Sequence, residues 1–376
     1  ISVRLGEKRP EEANNIFTIA CLLIFGQGIV VGGALFLLAP TLLHLMGAEG
    51  ALAAMAVQYL RVYAVCSPIV GCVFASDNFL RICGQIRTSM MLNVLMSVLC
   101  VVFEFFFLAV LRIGIRGAAL GTCLSMMVCA FLAMLPFFRG KMALKFVRPK
   151  FSRRILGQIV SCGCPTFLNN IAGRVTSIIM NMVLLQLGGA SAVSVYGILM
   201  YADGIILQLM YGMCDSMQPA VGYNWGAARR DRVVAIERCC FTAAAVISLV
   251  GAAVLFAFPR QTAELFMATA GAEVLDMAEP ALRIFSLTYI TRWFSFATQS
   301  FVSAIEKPVQ ASILSVSTAL LFPVGLIVAL WPMGLSGLWA NMPGTALLAG
   351  ITAGIILLDL RRRVWNSPHK VREPGA

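Results

Sequence analysis

The sequence predicts an all-α protein that crosses a membrane many times. Three observations carry that expectation: scarce charge, recurring apolar runs, and one-sided placement of basic residues. Of 376 residues, 60% are hydrophobic and 12% charged, where a soluble domain carries about 25% charged residues. Ten apolar runs of roughly twenty residues or more follow one another: 15–41, 56–80, 89–111, 117–138, 158–187, 191–220, 235–258, 278–303, 309–331 and 335–360. That is the length a helix needs to span a bilayer. Backbone groups in lipid must be bonded internally, and these runs lack the alternation of barrel strands, so they are expected as helices.

Net charge is +12, which could suggest nucleic acid, but its distribution excludes that. Links between spans, numbered alternately from residues 1–14, hold 21 Lys and Arg in one set. The other set holds three, Arg112, Arg116 and Arg260. Positive loops stay in the cytoplasm, so both visible termini are expected there, in a plasma membrane. The twelve cysteines sit almost wholly inside apolar runs, and the two histidines are His44 and His369. Small apolar filler is the reading for these thiols, with no metal or disulfide framework and no cofactor.

Taken in order, the first span, 15–41, follows the basic Arg4, Lys8 and Arg9. The second, 56–80, contains Pro68, and the third, 89–111, contains Glu104. "GIRGAALGT" opens the fourth. Residues 1–138 form one lobe, and the basic stretch 139–157 is a linker expected to lie on the membrane surface as a helix. "CGCP" opens the fifth span, which carries Asn169, Asn170 and Arg174. The sixth carries Asp203 and Asp215 and closes in "QPAVGYNWGAARRDR". Arg292 lies in the eighth span, while Pro165, Pro323 and Pro343 interrupt others as bending points. A second lobe, 158–360, ends in the basic cytoplasmic tail 361–376.

The two lobes repeat. "ISVRLGEKRPEEA" laid 220 residues on falls upon "VGYNWGAARRDRV". "LRVYAVCSPIVGCVFASDNF" falls upon "LRIFSLTYITRWFSFATQSF" at 222, and "GIRGAA" upon "GLSGLW" at 220. Two spans precede the aligned region in the second copy, so two pseudo-symmetric six-helix lobes are expected, with four helices of the first and six of the second present. About seventy further residues, holding two spans, are expected upstream. Parallel repeats of this kind suit a transporter with its site between lobes.

"GCPTFLNN" followed by "QPAVGYNWGAARRDRV", with "NFLRICGQIRTSMM" and "GIRGAALGT", resembles the multidrug and toxic compound extrusion (MATE) transporters of the MOP superfamily. The resemblance covers the whole chain, beginning at the end of the family's second helix. It implies a twelve-helix, alternating-access exporter driven by H+ or Na+. In that pattern Gln218, Pro219, Tyr223, Asn224 and Gly226 are structural: they close the sixth span, with Gln218, Tyr223 and Asn224 satisfying backbone groups at the exit.

Charges inside spans cost at least about 2.5 kcal/mol and are functional candidates by default. Glu104, in "VVFEFFFLAV", is the sharpest. A carboxylate isolated there should hold a proton or a cation, because burial disfavours the bare charge; the alternative is a structural, paired Glu104. The resemblance places Glu104, Cys100 and Thr122 in a first-lobe cation site, with Cys100 where the family has Asn. A thiol is a poor ligand for a hard cation, which weakens a Na+ site more than a proton site. In the second lobe, places where one branch of the family carries acids fall at Gly173 and Trp293, beside Arg174 and Arg292. Asp203 or Asp215 could pair with Arg174 or Arg292, or these groups could line a cavity with Asn169 and Asn170.

The leading expectation is a secondary-active antiporter acting as a monomer on small amphipathic or cationic substrates, in exchange for H+ or transient Na+. No Gly-rich nucleotide-binding motif is present, so ATP drive is not indicated. The alternative is a lipid-linked oligosaccharide flippase of the same superfamily, whose pyrophosphate Arg174 and Arg292 would face. A membrane-embedded enzyme would want histidines or paired carboxylates near an interface, and neither is evident.

Overall fold

The computed structural model describes residues 1–45, 50–266 and 271–362. Basic tail residues 363–376 therefore lie outside the described residues. Helices account for nearly all of the rest: α1 (Ser2–Gly6), α2 (Pro10–Leu45), α3 (Gly50–Ile82), α4 (Ile86–Phe105), α5 (Ile115–Phe138), α6 (Arg153–Gly226) and α7 (Arg230–Ala257). Then come α8 (Pro259–Phe266), α9 (Ala272–Ser286), α10 (Thr288–Ala304), α11 (Pro308–Val316), α12 (Phe322–Leu330) and α13 (Gly334–Leu360). Two compact units divide the chain, Ile1–Ile155 and Leu156–Ala376.

Among the described residues, seven helical stretches are long and apolar enough to cross a membrane. Two of them are too long for one crossing of a hydrocarbon layer about 30 Å thick. α6, at 74 residues, breaks at Gly189 (φ 63°, ψ −160°), a backbone state that a side chain resists. Residues 308–360 break at a short 3₁₀ turn, Trp331–Met333, followed by Gly334 at φ 60°. One expected span, 278–303, is divided between α9 and α10 at Leu287 and is not among the seven. α9, which begins before that run, carries Glu273, Asp276, Glu279 and Arg283, so it is amphipathic rather than uniformly apolar. Elsewhere, large apolar side chains face outward, as at Leu37 (75% exposed) and Val101 (69%), which only lipid makes tolerable.

The sequence repeat recurs in backbone geometry. Lys8 and Ala228, 220 apart, both take left-handed φ values, 59° and 58°. Each closes a helix with the same bonds: Arg9 N–H donates to Arg4 O, and Arg229 N–H to Asn224 O, both at 2.9 Å. Gly84 and Glu306, 222 apart, repeat this at the ends of α3 and α10. Gly114 (φ 71°, ψ −148°) and Gly334 (φ 60°, ψ −138°) open α5 and α13 alike. The positions tied by side chains keep that register with donor and acceptor exchanged, Gly28 answering to Ser248 and Ser67 to Tyr289. Ser67 donates to Gly28 O, and Ser248 donates to Tyr289 O, at 2.8 Å in both cases.

The linker departs from expectation. Residues 141–152 are not helical but an irregular segment laid on the first turns of α2. Pro149 removes a donor, and Gly140 at φ 67° turns the chain out of α5. Asn14 Oδ1 accepts from Lys145 N–H (2.9 Å), and Thr18 Oγ1 from Val147 N–H (3.1 Å). Asn15 grips Lys150 by both its N–H (2.8 Å) and its carbonyl (3.1 Å). Leu144 is fully buried, and Phe146 packs on Phe17 and Phe138 at 4.8 and 5.1 Å between ring centres. These side chains supply bonds a helix would have made for itself, so the segment can stay non-helical.

Candidate functional site

In the first unit, α4 ends on Phe105 and passes into a π-helical turn, Phe106–Val110. Such turns widen a helix and often mark function. Glu104 stands just before it, with Cys100 one turn earlier on the same face. α5 approaches very closely here because two glycines four residues apart face α4. A Cβ on Gly121 would lie 2.7 Å from Glu104 N and 2.8 Å from its Cγ, and one on Gly117 would lie 3.0 Å from Phe107 Cβ.

That approach brings Thr122 to the carboxylate. Thr122 Oγ1 donates to Glu104 Oε1 at 2.7 Å, and the Cys100 thiol donates to the same oxygen at 3.3 Å. Ser125, fully buried, donates to Thr122 O at 2.7 Å and steadies that turn of α5. The three residues aligned by the family pattern thus meet at one atom. The motif reading missed Gly121 and Ser125; the Gly-x-x-x-Gly spacing was the available signal for the first. Gly121→Leu is expected to force the helices apart, costing about 1–3 kcal/mol. The check is a lower melting temperature in detergent together with loss of transport.

In the second unit, Asp203 on α6 is 7% exposed and meets two residues of α10. Arg292 Nη1 donates to its Oδ1 at 2.6 Å, and Tyr289 Oη donates to the same oxygen at 2.5 Å. Asp203 with Arg292 is one of the pairings weighed for these charges. Tyr289 was not foreseen, although a buried tyrosine hydroxyl ordinarily needs a partner. Arg174 is exposed on the fifth span and makes no ion pair among the described residues, so its expected place as a partner of Asp203 is corrected. Asp215 is half-buried; Asn169 is half-buried, and Asn170 is exposed and donates to Thr166 O at 2.9 Å.

The "QPAVGYNWG" stretch also differs from expectation. α6 continues through Pro219 to Gly226, so the proline sits inside the helix and not at its exit. Gln218 does not serve freed backbone; its Nε2 reaches across to Ser300 Oγ on α10 at 2.9 Å. Asn224 does bond backbone, donating to Ala220 O at 2.9 Å, while Tyr223 is exposed. A polar tie on α3 escaped sequence reading altogether. Asp77 pairs with Arg81 at 2.6 Å and accepts hydrogen bonds from Ser89 and, at 2.9 Å, from Asn93 of α4. Its counterpart 222 residues on is Gln299, whose Nε2 donates to Ser315 Oγ at 2.7 Å. Both ties join consecutive helices of a hairpin.

The family model MatE matches residues 1–106 and 165–329. The multidrug export protein MepA of Staphylococcus saprophyticus is 25% identical over 349 residues, covering 91% of this chain and 76% of that one. A multidrug resistance MATE family transporter of the MOP superfamily, solved in an outward-facing conformation, superposes with a TM-score of 0.91 at 22% identity, over 98% of this chain and 82% of the other. A MOP superfamily transporter from Pyrococcus furiosus gives a TM-score of 0.90 at 23% identity, over 96% and 82%.

Proposed function

This chain belongs to the MatE family of multi-pass membrane transporters, and on that premise we propose that it is a secondary-active multidrug exporter. It exchanges an inward proton for an outgoing amphipathic or cationic compound by alternating access, and acts as a single chain with the described ends in the cytoplasm. Export of drugs is supported by its likeness to the MepA multidrug export proteins. Coupling is supported by one observation above the others, the convergence of Thr122 and Cys100 on Oε1 of an intramembrane carboxylate.

The same geometry favours H+ over Na+. Both neighbours donate hydrogens to Oε1, leaving Oε2 of Glu104 as the oxygen for a proton. A sodium ion would want several hard oxygen ligands turned toward it, and the thiol at Cys100 offers none. Proton and substrate then communicate through which access state the protonated or bare carboxylate stabilises.

The flippase reading relied on Arg174 and Arg292 facing a pyrophosphate. Arg292 is matched by Asp203, which leaves Arg174 as the exposed cation that still supports it. Everted vesicles containing the protein separate the two readings. Accumulation of ethidium on energisation is expected; flipping of a lipid-linked sugar with no ethidium accumulation would overturn the exporter.

A further inference from the structure

We propose that residues 145–154 form a docking strip for anionic phospholipid headgroups. Five cations, Lys145, Arg148, Lys150, Arg153 and Arg154, are exposed there, and none makes an ion pair among the described residues. A nearby acid on α2, Glu12, is held by Arg4 and Arg9, each at 3.5 Å. Residues 145–154 themselves contain no acid and five cations, and of the first-turn acids of α2 Glu11 remains exposed.

Three features distinguish it from an ordinary solvated charge run. It is held in place, because Asn14, Asn15 and Thr18 fix its backbone at Lys145, Val147 and Lys150. The five cations fall within ten residues, so their charge is concentrated on one short segment. Apolar side chains alternate with them: Phe146 is 37% exposed, Val147 38% and Phe151 60%. Charge for phosphates beside rings for the acyl boundary fits a lipid surface better than free phosphate. The strip joins α5 to α6, two helices that cross the membrane, so it lies at a membrane face.

The test uses the full chain in nanodiscs of phosphatidylcholine containing spin-labelled phosphatidylglycerol. The immobilised share of the anionic label should exceed that of labelled phosphatidylcholine at least about fivefold, as roughly one neutralised charge would predict. The variant K145Q/R148Q/K150Q/R153Q/R154Q should lose this preference, and the half-variants K145Q/R148Q and R153Q/R154Q serve if the full one does not insert. N14A/N15A, which keeps every charge but frees the backbone, should retain only part of it. An unchanged preference in the charge variants would overturn the proposal. So would millimolar inorganic phosphate displacing the label while equal ionic strength as chloride does not, because the ligand would then be free phosphate.

Discussion

Glu104→Gln is expected to reduce gradient-driven export to the vesicle leak while the protein still folds and inserts. Glutamine keeps the shape of the side chain and an Oε1 that accepts from Thr122 as Glu104 does at 2.7 Å, so the close contact of α4 with α5 survives. What it lacks is an oxygen that can take up and release a proton. Substrate affinity measured at equilibrium should change little, because that measurement does not need the gradient. Glu104→Asp retains a carboxylate but withdraws it by one methylene from Thr122 and Cys100, so export should be reduced and not absent. Wild-type export by the Gln variant would remove Glu104 from the coupling role and leave it a structural, paired acid.

The second large effect is on stability. Arg292→Met leaves Asp203 buried with only the Tyr289 hydroxyl for company. Removing one partner of a buried pair costs about 3–5 kcal/mol, because the remaining charge is uncompensated. Asp203→Asn alone is expected to be comparably damaging, since it strands the guanidinium. Asp203→Asn with Arg292→Met removes both charges and should recover most of the loss. Tyr289→Phe removes a single hydrogen bond to a charged group, about 1.5–3 kcal/mol. Melting temperatures of the four variants in one detergent check the ordering. Equal stability of Arg292→Met and the wild type would mean that the arginine serves the transport path and not the fold.

Much of this was legible in the residues. Apolar runs without alternation announce membrane helices, and Gly189 breaks α6 between the two runs that hydropathy separates. The 220-residue shift was readable because caps and glycine turns need particular backbone states, and Lys8 with Ala228, or Gly114 with Gly334, keep them. Glu104, Cys100 and Thr122 could be grouped because the family pattern fixes their spacing. Other features depend on side chains distant in sequence. Nothing local in "RGKMALKFVRPKF" says that Asn14 and Asn15 will bond its backbone, so a basic amphipathic helix was the natural expectation. Gln218 likewise has a local partner available in principle, but Ser300 on α10 is the one it reaches. Tyr289 looked like one more aromatic until the fold set its hydroxyl against Asp203.

Proton coupling through Glu104 is tested most directly in proteoliposomes given one gradient at a time. A pH difference at equal sodium should drive ethidium export by the wild type, a sodium difference at equal pH should not, and Glu104→Gln should respond to neither. Export driven by the sodium difference alone, or by the pH difference in Glu104→Gln, would contradict the account.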